Sequence, residues 1–153
     1  MRRVIGVIGT LMLIFVLAQS IPFHLPHQPL STISPPMNSL GMDDSVRSLF
    51  IKACADCHSP STGNAWFTYI QPASSWLASQ SVKGRKNFDI SLVHSYSNRK
   101  LENKLHAIAD VMEDGSMPPS LYRSINRAAR LTQHEKDLLS AWAETAAART
   151  AGQ

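Results

Sequence analysis

The residues best suited to chemistry in this chain of 153 residues are Cys54-Ala55-Asp56-Cys57-His58, which hold both of its cysteines. Two thiols at this spacing match one edge of a porphyrin. Each can add across a vinyl group, forming a thioether while its hydrogen passes to the neighbouring vinyl carbon. The adjacent histidine then reaches the iron from the same side. The pentad therefore predicts one covalent haem c, attached at Cys54 and Cys57, with His58 as an axial ligand to iron. Thioredoxin-like dithiol chemistry would need a βαβ setting, which the chain lacks. A structural zinc site would want four ligands, usually in two pairs. A plain disulfide is the remaining alternative in an exported chain.

A haem iron held by His58 has a second face. Met117 lies in Gly115-Ser116-Met117-Pro118-Pro119, 59 residues after His58. The two prolines keep this segment out of a helix, and a thioether is a soft ligand that raises the potential relative to two histidines. His94, His106 and His134 are the alternatives. Met112 falls on a helix stripe and reads as core packing. Met37 and Met42 fall in or beside a proline-rich stretch and are set aside. Trp66, Phe67, Tyr69 and Trp76 are large rings that either cover a porphyrin or fill ordinary core. Tyr69 and Trp76 are the candidate haem contacts among them. Arg85 matches the geometry of a haem propionate, with a solvated surface arginine as the competing reading.

These residues need elements to hold them. Met1-Arg2-Arg3 is followed by a charge-free run, Val4 to Ala18, and by the small-residue pattern Ala18-Gln19-Ser20. This reads as an export signal or a retained anchor, assigned to residues 1–20. Either way the arginines stay in the cytoplasm and the rest of the chain lies on the extracytoplasmic, periplasmic side. A retained helix ties the protein to the inner membrane, and a cleaved one releases a soluble form. Residues 21–42 contain Pro22, Pro26, Pro29, Pro35 and Pro36 and read as an extended tether that holds the domain off the membrane.

The domain itself is expected over 43–149. Asp43 or Asp44 caps a helix bearing Val46, Leu49, Phe50 and Ala53, which runs into the pentad. Residues 59–71 read as a loop, followed by a short helix with Trp76 and Leu77. Lys83-Gly84-Arg85-Lys86 reads as a basic turn. Residues 98–113 form a central helix with Leu101, Leu105, Ile108 and Met112 on one stripe, stopped by Gly115 and the prolines. Thr132-Gln133-His134-Glu135 is a capping-box signature opening the last helix. No alternating pattern is long enough for a sheet, so the class is all-α with long loops.

The formal charge is +4, and setting Arg2 and Arg3 aside lowers it to +2. Two propionates would bring the loaded domain close to neutral. The basic balance therefore gives little support to nucleic-acid binding. Lys83, Arg85, Lys86, Arg99, Lys100 and Lys104 read as a docking face for an acidic redox partner protein or as solvated surface.

The ordered blocks Cys54-Ala55-Asp56-Cys57-His58-Ser59, Trp66-Phe67-Thr68-Tyr69-Ile70-Gln71-Pro72 and Lys83-Gly84-Arg85-Lys86-Asn87-Phe88 go further. With Gly115-Ser116-Met117-Pro118-Pro119-Ser120-Leu121-Tyr122 and Ala129-Arg130-Leu131-Thr132, the chain resembles the bacterial haem-binding domain family, small exported proteins related to cytochrome c. The resemblance spans about residues 44–145. It implies a cytochrome c-like fold around one haem, with the first and last helices of the domain packed together, and Met117 as second axial ligand. Ser81, Asp89, Ile90 and Ser91 depart from the family's usual pattern. A haem closed on both faces implies an electron carrier and not an enzyme. A haem-based sensor, or a small-ligand module with a displaceable Met117, is the alternative.

Overall fold

A computed structural model of the chain describes residues 2–20, 29–61 and 66–152. Every regular element among them is helical. The apolar N-terminal run forms α1 (Arg2–Gln19), with no buried residue and a mean hydropathy of 1.7. Among the described residues it is long and apolar enough to cross a membrane, by length and composition.

The stretch read as a tether folds differently over its second half. Leu30–Thr32 is a 3-10 turn and Ser34–Ser39 is helix α2. Ile33, Met37, Leu40 and Met42 are all buried in the main core. The Leu40 carbonyl accepts from Trp142 Nε1 at 3.1 Å and from the Arg149 guanidinium at 2.9 Å. Pro35 and Pro36 open α2, where no intrahelical donor is needed, so proline starts this helix instead of preventing it. Residues 21–28, the first half of the proposed tether, lie outside the described residues.

Helix α3 (Asp44–Ala53) starts where Asp43 Oδ1 accepts from the Val46 N–H at 2.8 Å. It buries Val46, Leu49, Phe50 and Ala53 and leads directly into the short helix α4 (Ala55–His58). A 3-10 turn at Trp66–Thr68 precedes α5 (Ala73–Asn87). The residues read as a basic turn, Lys83 to Lys86, are the last turn of α5, where cations face the negative helix end. Ile90–Ser95 is a further 3-10 segment.

Helix α6 spans Asn98–Glu113, the interval the apolar stripe predicts. Gly115 follows it with φ +69°, a conformation that favours glycine. Helix α7 (Ser120–Ile125) is followed by α8 (Gln133–Ala151), which opens with the predicted capping box between Thr132 and Glu135. The main core joins α2, α3, α6 and α8. Helix α3 also meets α8 directly, through the Lys52–Glu135 ion pair. A smaller cluster of Ala53, Phe67, Leu77, Tyr122 and Ala129 sits beside it. The architecture is all-α, as expected.

Candidate functional site

A cavity of about 890 Å3 opens between these helices. Its wall includes Cys54, Cys57 and His58 from the α3–α4 junction, and Met117 from the loop after α6. Phe50, Phe88, Ile108, Met112 and Leu139 supply apolar surface, and Lys83, Arg99, Lys100 and Lys104 supply cations. The volume lies within the roughly 300–1,000 Å3 typical of cofactor sites.

The pentad is placed by backbone geometry. The His58 N–H donates to the Cys54 carbonyl at 2.9 Å, so one helical turn presents both sulfurs and the imidazole to the cavity. Helix α5 presses against this turn at Gly84. A Cβ there would stand 2.4 Å from the Cys57 carbonyl oxygen and 3.1 Å from Cys57 Cβ. Only glycine lets the two backbones approach so closely.

His58 Nδ1 lies 2.9 Å from the Phe88 carbonyl oxygen. A carbonyl oxygen only accepts, so Nδ1 carries the hydrogen and Nε2 keeps its lone pair. Such an outer contact fixes the ring and the tautomer of a metal-binding histidine. Burial holds the His58 pKa below its ordinary value, against the opposing pull of the Phe88 carbonyl. The site therefore favours the neutral imidazole, which is the form that ligates. Burial also pushes the Cys54 and Cys57 thiols up to about 12. Both are therefore held as neutral thiols.

Beneath the pentad, the Tyr122 hydroxyl donates to Asp56 Oδ2 at 2.6 Å, and Asn126 Nδ2 donates to the Tyr122 oxygen at 2.9 Å. Tyr122 and Asp56 are both buried. Burial and the nearby carboxylate raise the Tyr122 pKa, so it stays a donor. Tyr122 also lines the cavity. It links the segment after Met117 to the turn that carries Cys54, Cys57 and His58. Its only sequence signal was its place in the Met-Pro-Pro-Ser-Leu-Tyr block. Gly84 was likewise legible as a residue but not as a contact.

Other expected contacts lie elsewhere. Tyr69 is exposed and Trp76 packs against the smaller cluster, so neither lines the cavity. Phe67, close to Tyr69 in sequence, takes a buried position edge-on to Tyr122. Arg85 pairs with buried Asp89 at 2.7 Å and points its charge into that contact, away from the cavity wall. Of the four cations at the cavity wall, Lys100 and Lys104 also sit over an aromatic face, with ammonium groups 4.9 and 5.3 Å from the Tyr96 ring centroid. Burial and the neighbouring Lys100 lower the Lys104 pKa. His94, His106 and His134 are exposed, and His106 pairs with Glu144 at 3.1 Å. Met37 and Met42 are in the main core, while Met112 is both buried core and cavity wall.

A family model for a haem-binding domain matches residues 13–145. A search of curated proteins returned no match, and neither did a search of solved structures.

Proposed function

Because the chain belongs to the haem-binding domain family, we propose that it is a c-type cytochrome that passes single electrons on the extracytoplasmic side of the inner membrane. Cys54 and Cys57 would hold the haem by two thioether bonds, and His58 and Met117 would ligate its iron. One observation carries this reading. A single cavity collects both thiols, the imidazole and a methionine from a loop 59 residues away.

The haem iron, when bound, supplies the one-electron chemistry. The chain's own residues do the rest. His58 presents Nε2 because Nδ1 is engaged by Phe88. Phe50, Phe88, Ile108 and Leu139 give the wall an apolar surface for the porphyrin. Lys100 and Lys104, in place of Arg85, offer cations to the propionate carboxylates. The Pro118 and Pro119 rings keep the Met117 segment from extending α6. No residue has to move a proton or attack a substrate, so the reading assigns a carrier and no catalytic residue. The partner is a redox protein on the same side of the membrane.

Carbon monoxide binding to the reduced holoprotein tests the closed site. The carrier reading expects no rapid binding by the unaltered protein and rapid binding by Met117→Ala. It also expects the ferric absorption band of methionine ligation to vanish in that variant. Rapid binding by the unaltered protein would favour a sensor or ligand-binding module with a displaceable methionine. The partial exposure of Met117 is the observation that supports this second reading.

A further inference from the structure

The end of α1 is bonded to the haem domain. The Gln71 N–H donates to Gln19 Oε1 at 3.0 Å, and Gln19 Nε2 donates to the Gln71 carbonyl at 3.3 Å. Helix α1 has 18 residues. At 1.5 Å per residue it is about 27 Å long, close to the roughly 30 Å of a bilayer's hydrocarbon core. With Arg2 and Arg3 at the cytoplasmic surface, Gln19 arrives at the opposite interface. Backbone bonded to Gln19 must lie at nearly the same depth.

That backbone belongs to a short segment with an unusual surface. Trp66, Tyr69 and Ile70 are 61%, 71% and 38% exposed. Phe67 and Thr68, between them in sequence, are buried. Three large side chains thus face outward while the segment's other residues anchor it. Tryptophan and tyrosine combine an apolar ring with a polar tip, and this pairing suits the headgroup layer of a membrane.

We propose that the segment from Trp66 to Gln71 is a membrane-contact surface whose exposed side chains at 66, 69 and 70 reach through the headgroup layer into the outer acyl chains of the bilayer spanned by α1. The haem domain then lies against the membrane instead of hanging from it. The proposal rests on reading α1 as a retained anchor. Gln19 falls inside the small-residue pattern of a cleavage site, so cleavage after Ser20 would remove the residue that docks the segment. Lipid is the occupant because the segment is bonded to the end of a helix of membrane length.

The test places a nitroxide on full-length holoprotein in nanodiscs of phosphatidylcholine and phosphatidylglycerol. One protein carries the label at Tyr69→Cys, a second at Ile70→Cys and a third at Leu11→Cys within α1. Power saturation then compares oxygen, which enters lipid, with a nickel chelate, which stays in water. The haem spectrum of each labelled protein reports that the domain is folded. The proposal expects oxygen to relax the label more than nickel does at residues 11, 69 and 70. Nickel dominance at 69 and 70 with oxygen dominance at 11 would overturn the membrane-contact surface and leave the anchor standing. Nickel dominance at 11 would overturn both.

Discussion

In the proposed site, His58 would become a directed ligand through its other nitrogen. The Phe88 carbonyl holds Nδ1, and burial keeps the ring neutral, so the free lone pair is presented without a competing proton. A second buried contact, from Tyr122 to Asp56, does comparable work for the turn that carries the cysteines. Removing the Tyr122 hydroxyl leaves a buried carboxylate short of a donor. Such a loss costs roughly 1–3 kcal/mol. Tyr122→Phe should therefore lower the denaturant midpoint and weaken the methionine-ligation band of the ferric protein. Asp56→Asn keeps an acceptor for the tyrosine and should lose less of both. Equal spectra for the unaltered protein and Tyr122→Phe would remove Tyr122 from the positioning of Met117.

At the scale of elements, the site depends on how closely α5 approaches α4. Gly84→Ala drives a methyl group against the Cys57 backbone, which cannot swing away as a flexible side-chain tip can. Overpacking of this kind costs about 1–3 kcal/mol. The expected outcome is a lower Tm and a lower ratio of haem to protein in the purified chain. Helices α3 and α8 are joined by Lys52 and Glu135, and this pair gives the fold an acid limb. The hydrogen bond from Lys52, helped by the Thr132 backbone, lowers the Glu135 carboxyl from 4.5 to about 2. A depressed carboxylate stabilises the fold above its unfolded pKa. That contribution is lost as pH falls from about 4.5 toward 2. Glu135→Gln should lower stability at neutral pH and flatten its decline across that window, as read by thermal melts at a series of pH values.

Helix α6 and the capping box of α8 were legible because periodicity and cap chemistry are local. Residues 30–42 were misread because proline content masks the spacing of Ile33, Met37 and Leu40, which becomes meaningful only against Trp142 and Arg149. The partner of Arg85 was hidden for a related reason. A lone arginine does not announce that Asp89, four residues on, is buried and waiting for it.

At the scale of the whole molecule, an apolar helix is joined to a helical domain that carries the cysteine-lined cavity. The family match begins at residue 13, inside α1, and so takes in the end of that helix with the domain. Gln19 bonds to Gln71, and the core takes in residues up to Met42, so the domain begins well before the attachment pentad. A domain resting on the bilayer would hold the cavity close to the membrane and restrict a redox partner to an approach from the aqueous side. The electron-carrier reading depends on a haem fixed to Cys54 and Cys57. Intact mass of the denatured, purified holoprotein tests that claim most directly. Covalent attachment predicts the mass of the chain plus one haem, with neither thiol open to alkylation. The mass of the bare chain, with both cysteines alkylated, would contradict it.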